Sequence, residues 1–260
     1  MLMVIDIGNT NIVFGVYDGE RLVGSWRMVT NKKGTADEQG IFLYNVLSLS
    51  GIDREKIDGI IISSVVPSMM QSLKQMCRTY FKLEPLIVGP SIKSGIKIMY
   101  KNPLEVGADR IVNAVAGFAK YGGPLILVDF GTATTFCALN EAGDYLGGAI
   151  ATGVRISTDA LYQSAAKLPK VELEFPDEVL NRDTVSSMQA GILYGYVGQV
   201  EYIVKKMAAE MGYERVRTVA TGGLAPLIAS KTDVIDQVDD KLTLEGLKLL
   251  YEKNKRRTDE

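Results

Sequence analysis

The sequence has 260 residues, 47% hydrophobic and 23% charged, with a formal net charge of -2. That is enough chain for one large domain or two moderate ones, and the near-neutral balance argues against nucleic acid or a membrane surface as a partner. No histidine occurs, which excludes histidine metal sites, histidine general bases and Ser-His-Asp triads.

Residues 2–7, 12–17 and 21–29 read as three strands, the last two joined by the hairpin signal Asp18-Gly19. Helical spacing runs over 36–50 through Ile41, Phe42, Tyr44, Val46 and Leu47, with Gly51 to end it. Ile57 to Val66 is a buried β-run stopped by Pro67; a helix at 68–80 and a short strand at Pro85-Leu-Ile-Val follow. Pro103 opens a segment leading into a helix over 108–121. A second pass begins at Gly123-Pro124, with strands at 124–130, 134–140 and 144–150, helices at 153–165 and 184–211, and a strand at 216–221. An amphipathic helix from Thr243 ends in the basic stretch Lys253 to Arg257, which suits a helix C-terminus and solvent.

Each half thus predicts strand–strand–strand–helix–strand–helix, an α/β order with mixed sheets. The expected division is 1–117 and 118–260, two tightly packed halves with a cleft between them, since no low-complexity linker intervenes. Cys77 and Cys137 lack CxxC spacing and read as reduced thiols, which fits a cytoplasmic location. The N-terminus has no charged n-region and already reads as a strand, so no signal peptide is expected. No apolar run approaches the roughly 18 residues a membrane span needs.

The two halves share a motif. Asp6-Ile-Gly-Asn-Thr-Asn and Asp129-Phe-Gly-Thr-Ala-Thr-Thr each close an apolar run with Asp, one apolar residue, Gly and small polar residues. A Gly after a strand lets the backbone bend sharply, and successive N–H groups form a nest for phosphate oxygens. Asn9, Thr10 and Asn11 add side-chain donors, while Asp6 suits Mg²⁺ held through water beside a polyphosphate. Taken singly, either motif is also a plain tight turn; the repetition favours a metal–polyphosphate clamp. No GxxxxGK[ST] is present, so this is not a P-loop. Thr221-Gly222-Gly223 fits either a flat base against backbone or an ordinary turn.

In Gly107-Ala108-Asp109-Arg110, Asp109 reads either as an N-cap or as the acceptor of a substrate hydroxyl proton. The helix start and Arg110 are both expected to lower its pKa. Tyr100 and Lys101 fit a pocket lining, and Thr184 fits either that role or an N-cap.

Together with Asn102-Pro-Leu-Glu-Val, Gly147-Gly-Ala-Ile and Thr221-Gly-Gly, these motifs stand in the order seen in type III pantothenate kinases, and the resemblance covers Met1 to about Lys248. It implies a duplicated ribonuclease H-like fold of the actin/hexokinase/Hsp70 ATPase type, and ATP-dependent phosphorylation of pantothenate to 4'-phosphopantothenate, the first step of coenzyme A synthesis. By resemblance, Asp6, Ile7, Gly8, Asn9, Thr10, Asn11, Ile12, Val13 and Thr132 bind ATP, and Asp109 is the proton acceptor. Tyr100, Gly107, Ala108, Asp109, Arg110 and Thr184 bind pantothenate. Asp129 holds a monovalent cation, K⁺ or NH₄⁺, where symmetry alone would assign both aspartates to Mg²⁺. The resemblance also implies a homodimer. One departure is Ala151-Thr152-Gly153 where the family commonly has Pro-Gly, which predicts an altered loop. A nucleotide-binding regulator without catalysis and a kinase for another small alcohol are the alternatives.

Overall fold

The apolar runs that open the chain form β1 (Leu2–Ile7), β2 (Asn11–Asp18) and β3 (Arg21–Val29), turned at Gly19 with φ 57°. Then come α1 (Ala36–Leu49), β4 (Gly59–Ser64), α2 (Met70–Met76), β5 (Leu86–Ile87) and α3 (Ala108–Tyr121). The second pass gives β6 (Leu125–Phe130), β7 (Ala133–Leu139), β8 (Tyr145–Thr152), α4 (Val154–Ser164), α5 (Thr184–Met211), β9 (Arg217–Thr221), α6 (Ala225–Ala229), β10 (Gln237–Val238) and α7 (Leu242–Lys255). This computed structural model describes residues 1–255. The end of the basic tail, Arg256 and Arg257, lies outside the described residues; Lys253, inside them, donates to the Ser94 carbonyl at 2.9 Å.

The chain forms two units, each with one five-stranded mixed sheet. The strand orders are β3-β2-β1-β4-β5 and, in the mirrored listing, β8-β7-β6-β9-β10. In both, a hairpin meander is antiparallel and the later strands add in parallel, so the expected duplicated ribonuclease H-like topology is present. Each copy carries a register shift just before its outer turn, at Val16/Tyr17 and Ala138/Leu139. The copies differ at the inner turn. Ile7 pairs Ile12 in the first, Phe130 pairs Thr134 in the second, so the second loop is one residue shorter.

In the first unit, Met3, Ile5, Ile7, Ile60 and Ile62 pack against Leu43, Leu47, Leu73 and Met76 of α1 and α2. The other face (Leu2, Val4, Ile61) packs against Val112 and Val115 of α3 and Leu244, Leu247 and Leu250 of α7. Helix α1 starts at a full capping box, Thr35 with Glu38. In the second unit Ile126, Val128 and Phe130 pack against α5 through Leu193, Val197, Val200 and Val204.

A single cut does not describe the division. The first unit comprises Met1–Ile96, Asn102–Ala116 and the chain from Lys241; the second comprises Lys97–Lys101 and Gly117–Asp240. Helix α7 follows the whole second pass in sequence but completes the core of the first. Smaller differences concern element ends. The helix expected at 68–80 is α2 between a 3₁₀ turn at Pro67–Met69 and a π-turn at Cys77–Phe81, which Lys82 ends at φ 59°. The β-run of 57–66 narrows to β4. Both α6 and β10 are additions.

Candidate active site

In the first unit Asp6 stands half-buried near the end of β1, flanked in register by Val13 on β2 and Ser63 on β4. The loop after it is tied down by its carbonyls. The Gly8 N–H donates to Asn11 O at 3.0 Å, Thr30 Oγ1 donates to Gly8 O at 2.7 Å, and the Thr30 N–H to Thr10 O at 2.9 Å. These bonds occupy the groups that would repel a phosphate. Asn9 and Thr10 are exposed, whereas Ile7 and Ile12 are buried, so any ligand contact by these two isoleucines is through backbone.

Helix α3 begins under Gly107, whose carbonyl accepts from the N–H groups of Arg110 (3.1 Å) and Ile111 (3.2 Å). Gly107 therefore occupies the cap position, and Asp109 lies inside the first turn, not at the N-cap. Its Oδ1 accepts the Arg110 N–H at 2.8 Å. The preceding turn, Pro103–Glu105, is capped by Asn102, which accepts from the Leu104 N–H at 3.2 Å. Arg110 is buried, 5% exposed.

The Asp109 carboxyl departs from expectation. Burial, the largest influence, raises its pKa above the usual carboxylate value, outweighing the Arg110 N–H and the Arg110 charge, which lower it. The sequence shows the neighbouring cation and the helix start but not the desolvation. The correction favours a base, since a carboxylate with a raised pKa holds a proton better.

In the second unit Asp129 lies half-buried near the end of β6, in register with Thr135 on β7 and Thr221 on β9. Gly222, at φ 93°, is pressed against it: a Cβ there would stand 2.8 Å from Asp129 Oδ1 and 2.7 Å from Phe130 O. Gly153 covers the following loop, where a Cβ would meet Thr132 O at 2.1 Å. The glycine shared with the family pattern is thus required sterically. The Thr152 carbonyl accepts from Tyr196 Oη at 2.9 Å.

Tyr100 packs on the Tyr145 ring at 5.9 Å. Its segment is pinned to β8, with the Met99 N–H donating to Tyr145 O and the Tyr145 N–H to Lys97 O, both at 2.8 Å. Thr184 is the first residue of α5 and exposed; the cap is Asp183, which accepts the Ser186 N–H at 2.9 Å. That bond holds the Asp183 carboxyl below its usual pKa. Asp183 and Tyr145 thus position expected site residues and were not singled out from sequence. Asp-x-x-Ser at a helix start was the available signal for the first.

Among the described residues no group of three or more His, Cys, Asp or Glu side chains could hold a metal ion. One carboxylate per loop matches Mg²⁺ as it is held with nucleotides, mainly by phosphate oxygens and water. The same hard oxygen suits a monovalent cation.

The family profile described as type III pantothenate kinase matches residues 2–206. The chain belongs to that family. Relatives named type III pantothenate kinase include those of Geobacillus kaustophilus (strain HTA426) and Geobacillus thermodenitrificans (strain NG80-2), each 59% identical over 254 residues and covering 98% of both chains. A third, from Geobacillus sp. (strain WCH70), is 58% identical over the same span. Solved structures share the fold at low identity. A Campylobacter jejuni protein described as a Baf family transcriptional activator superposes with TM-score 0.63 at 19% identity, covering 98% of this chain and 99% of that one. The activator of 2-hydroxyisocaproyl-CoA dehydratase from Clostridium difficile, with bound ADPNP, gives 0.54 at 14%, covering 98% and 97%. Such identities speak to fold alone.

Proposed function

We propose that this protein transfers the γ-phosphoryl group of ATP to the 4'-hydroxyl of pantothenate, giving 4'-phosphopantothenate and ADP, the first step of coenzyme A biosynthesis. The observation that carries the reading is the Gly107–Arg110 turn at the head of α3, intact in a member of this family, with an Asp109 carboxyl that burial makes more basic. The Asp109 carboxylate takes the hydroxyl proton as the new O–P bond forms and the bond to the ADP oxygen breaks. A loose transition state needs that proton removed only late, so positioning and charge stabilisation carry most of the rate. The Asp6–Val13 segment and Thr132 hold the nucleotide. Asp6 would hold a divalent ion through water, and that ion would supply charge neutralisation at the phosphates. Tyr100, Gly107, Ala108, Arg110 and Thr184 orient the acceptor.

Asp129 is assigned to a monovalent cation, K⁺ or NH₄⁺, and the active form to a homodimer. Support for the dimer comes from the second unit. A groove of about 480 Å³ runs between α4 and α5, lined by Leu161, Met188, Gly191 and Gly195. Ile156, Tyr162 and Val185 are exposed on the same helices. No helix among the described residues is long and apolar enough to cross a membrane.

The test is ADP release measured across a panel of small alcohols with K⁺ present. Activity on pantothenate is expected; activity on a sugar without pantothenate would overturn the substrate. Dialysis into Na⁺ alone is expected to abolish turnover, and full activity there would remove the cation from Asp129. Sedimentation of wild type and Gly195→Glu distinguishes dimer from monomer.

A further inference from the structure

Strand β4 reads Gly-Ile-Ile-Ile-Ser-Ser, and its first serine is out of place in a buried aliphatic run. Ser63 is 0% exposed, and its Oγ has no hydrogen-bond partner among the described residues. Buried hydroxyls are nearly always paired, so an orphan asks for a reason. Its position supplies one. Ser63 is the register partner of Asp6 on the adjacent parallel strand. Neighbours in parallel register present their side chains to the same face. That face, continued by Val4 and Ile61, is the one covered by Ala108, Val112 and Val115 of α3, the helix that carries Asp109.

The other orphan oxygens differ. Gln39 still donates through Nε2 to Ser72 at 3.4 Å and lies on α1. Thr134 pairs in register with Phe130 and Ala151, positions that pack in the apolar core of the second unit. Neither adjoins a site carboxylate. The duplication adds an independent observation. At the equivalent position of the second sheet, Thr221 on β9 is the parallel register partner of Asp129 and is 3% exposed. A buried hydroxyl beside the motif carboxylate thus occurs in both copies, although the rest of the two strands differs.

We infer that Ser63 is a positioning residue of the phosphate end of the nucleotide site, its hydroxyl taking its hydrogen-bond partner from the hydrated divalent ion and polyphosphate that Asp6 faces. A hydroxyl both donates and accepts, so it can accept from a metal-bound water and donate to a phosphate or carboxylate oxygen. Asp6 alone offers only acceptors. With the ion bound, the pair would offer its water shell and the phosphate both an acceptor and a donor, which a carboxylate alone does not. This inference rests on the phosphotransferase reading above.

Three proteins decide it: wild type, Ser63→Ala and Ser63→Thr. Thermal melts are taken without ligand, and binding of magnesium with a non-hydrolysable ATP analogue is measured by calorimetry, with a parallel series in EDTA. Removing an orphan hydroxyl is expected to leave the ligand-free melting temperature of Ser63→Ala equal to or above wild type. Affinity for the magnesium complex is expected to fall at least tenfold, shrinking to under twofold in EDTA. Ser63→Thr, which keeps the hydroxyl, is expected to restore most of the affinity. A Ser63→Ala protein that melts lower and binds the magnesium complex within twofold of wild type would show a purely structural serine and overturn the inference. The two readings fail separately. Wild type that binds the analogue in a Ser63-dependent manner but does not phosphorylate pantothenate loses its substrate and keeps this residue's role. Active wild type with an indifferent Ser63→Ala does the reverse.

Discussion

Replacing Asp109 with Asn is expected to make the protein more stable and nearly inactive at once. The side chains have the same shape, and the amide oxygen of Asn can still accept the Arg110 N–H that Asp109 Oδ1 accepts at 2.8 Å. What is lost is basicity. General-base catalysis contributes about 10²- to 10⁴-fold, or about 2.7–5.4 kcal/mol at 1.36 kcal/mol per factor of ten. The fall is expected in kcat, with magnesium–ATP affinity within about twofold of wild type. The stability effect has the opposite sign. Burial raises the Asp109 pKa in the folded protein above its ordinary carboxylate value, so the folded state binds the proton more tightly than the unfolded state. Stability therefore falls as pH rises from the unfolded pKa to the folded one, and the penalty persists above it. Asn carries no such penalty. Melting temperatures of the two proteins should converge at the acid end of the carboxylate range, separate as pH rises through it, and keep a constant gap at neutral pH. Turnover within threefold of wild type would remove Asp109 as the base. A variant that melts below wild type at neutral pH would refute the desolvation argument. The pH series also separates this residue from Ser63, whose hydroxyl does not titrate in that range.

Gly222→Ala and Gly153→Ala each place a methyl where none fits, 2.8 Å from Asp129 Oδ1 and 2.1 Å from Thr132 O respectively. Both are expected to raise the K⁺ concentration for half-maximal rate, read from a cation titration; unchanged titrations would detach these glycines from the Asp129 loop. Asp183→Ala removes the cap that sets Thr184 at the start of α5 and is expected to raise KM for pantothenate more than KM for ATP, measured by steady-state kinetics. Thr35→Ala breaks the capping box of α1, a contact with Glu38, and should cost about 1 kcal/mol of stability in urea unfolding with kcat unchanged.

Much of this arrangement was legible because the repeat is punctuated by turns. Asp18-Gly19 fixes the first outer hairpin, and the strand ends at both outer turns lie within two residues of those read from the pattern. The 28-residue α5 announced itself by length alone. Illegible parts depend on partners distant in sequence. Nothing in the helical spacing of 242–255 says which sheet it will cover, and its apolar stripe would serve either. Strand β10, two residues long, is made by its pairing with β9 and carries no pattern of its own. The direction of the Asp109 pKa turned on desolvation, which requires knowing what surrounds the carboxyl. Ser63 was hidden for a related reason: it lies inside the β-run read over 57–66, and only register places it beside Asp6.

The return of α7 to the first sheet sets an order on synthesis. A nascent chain that has reached Asp240 contains every residue of the second unit, yet Leu2, Val4 and Ile61 still lack the Leu244, Leu247 and Leu250 that cover them. The part made first is therefore the part finished last. During translation, a bare aliphatic face must wait through more than a hundred further residues, the condition under which sticky intermediates and chaperone clients arise. Loss of the last helix would strip Leu244, Leu247 and Leu250 from the sheet that carries Asp6.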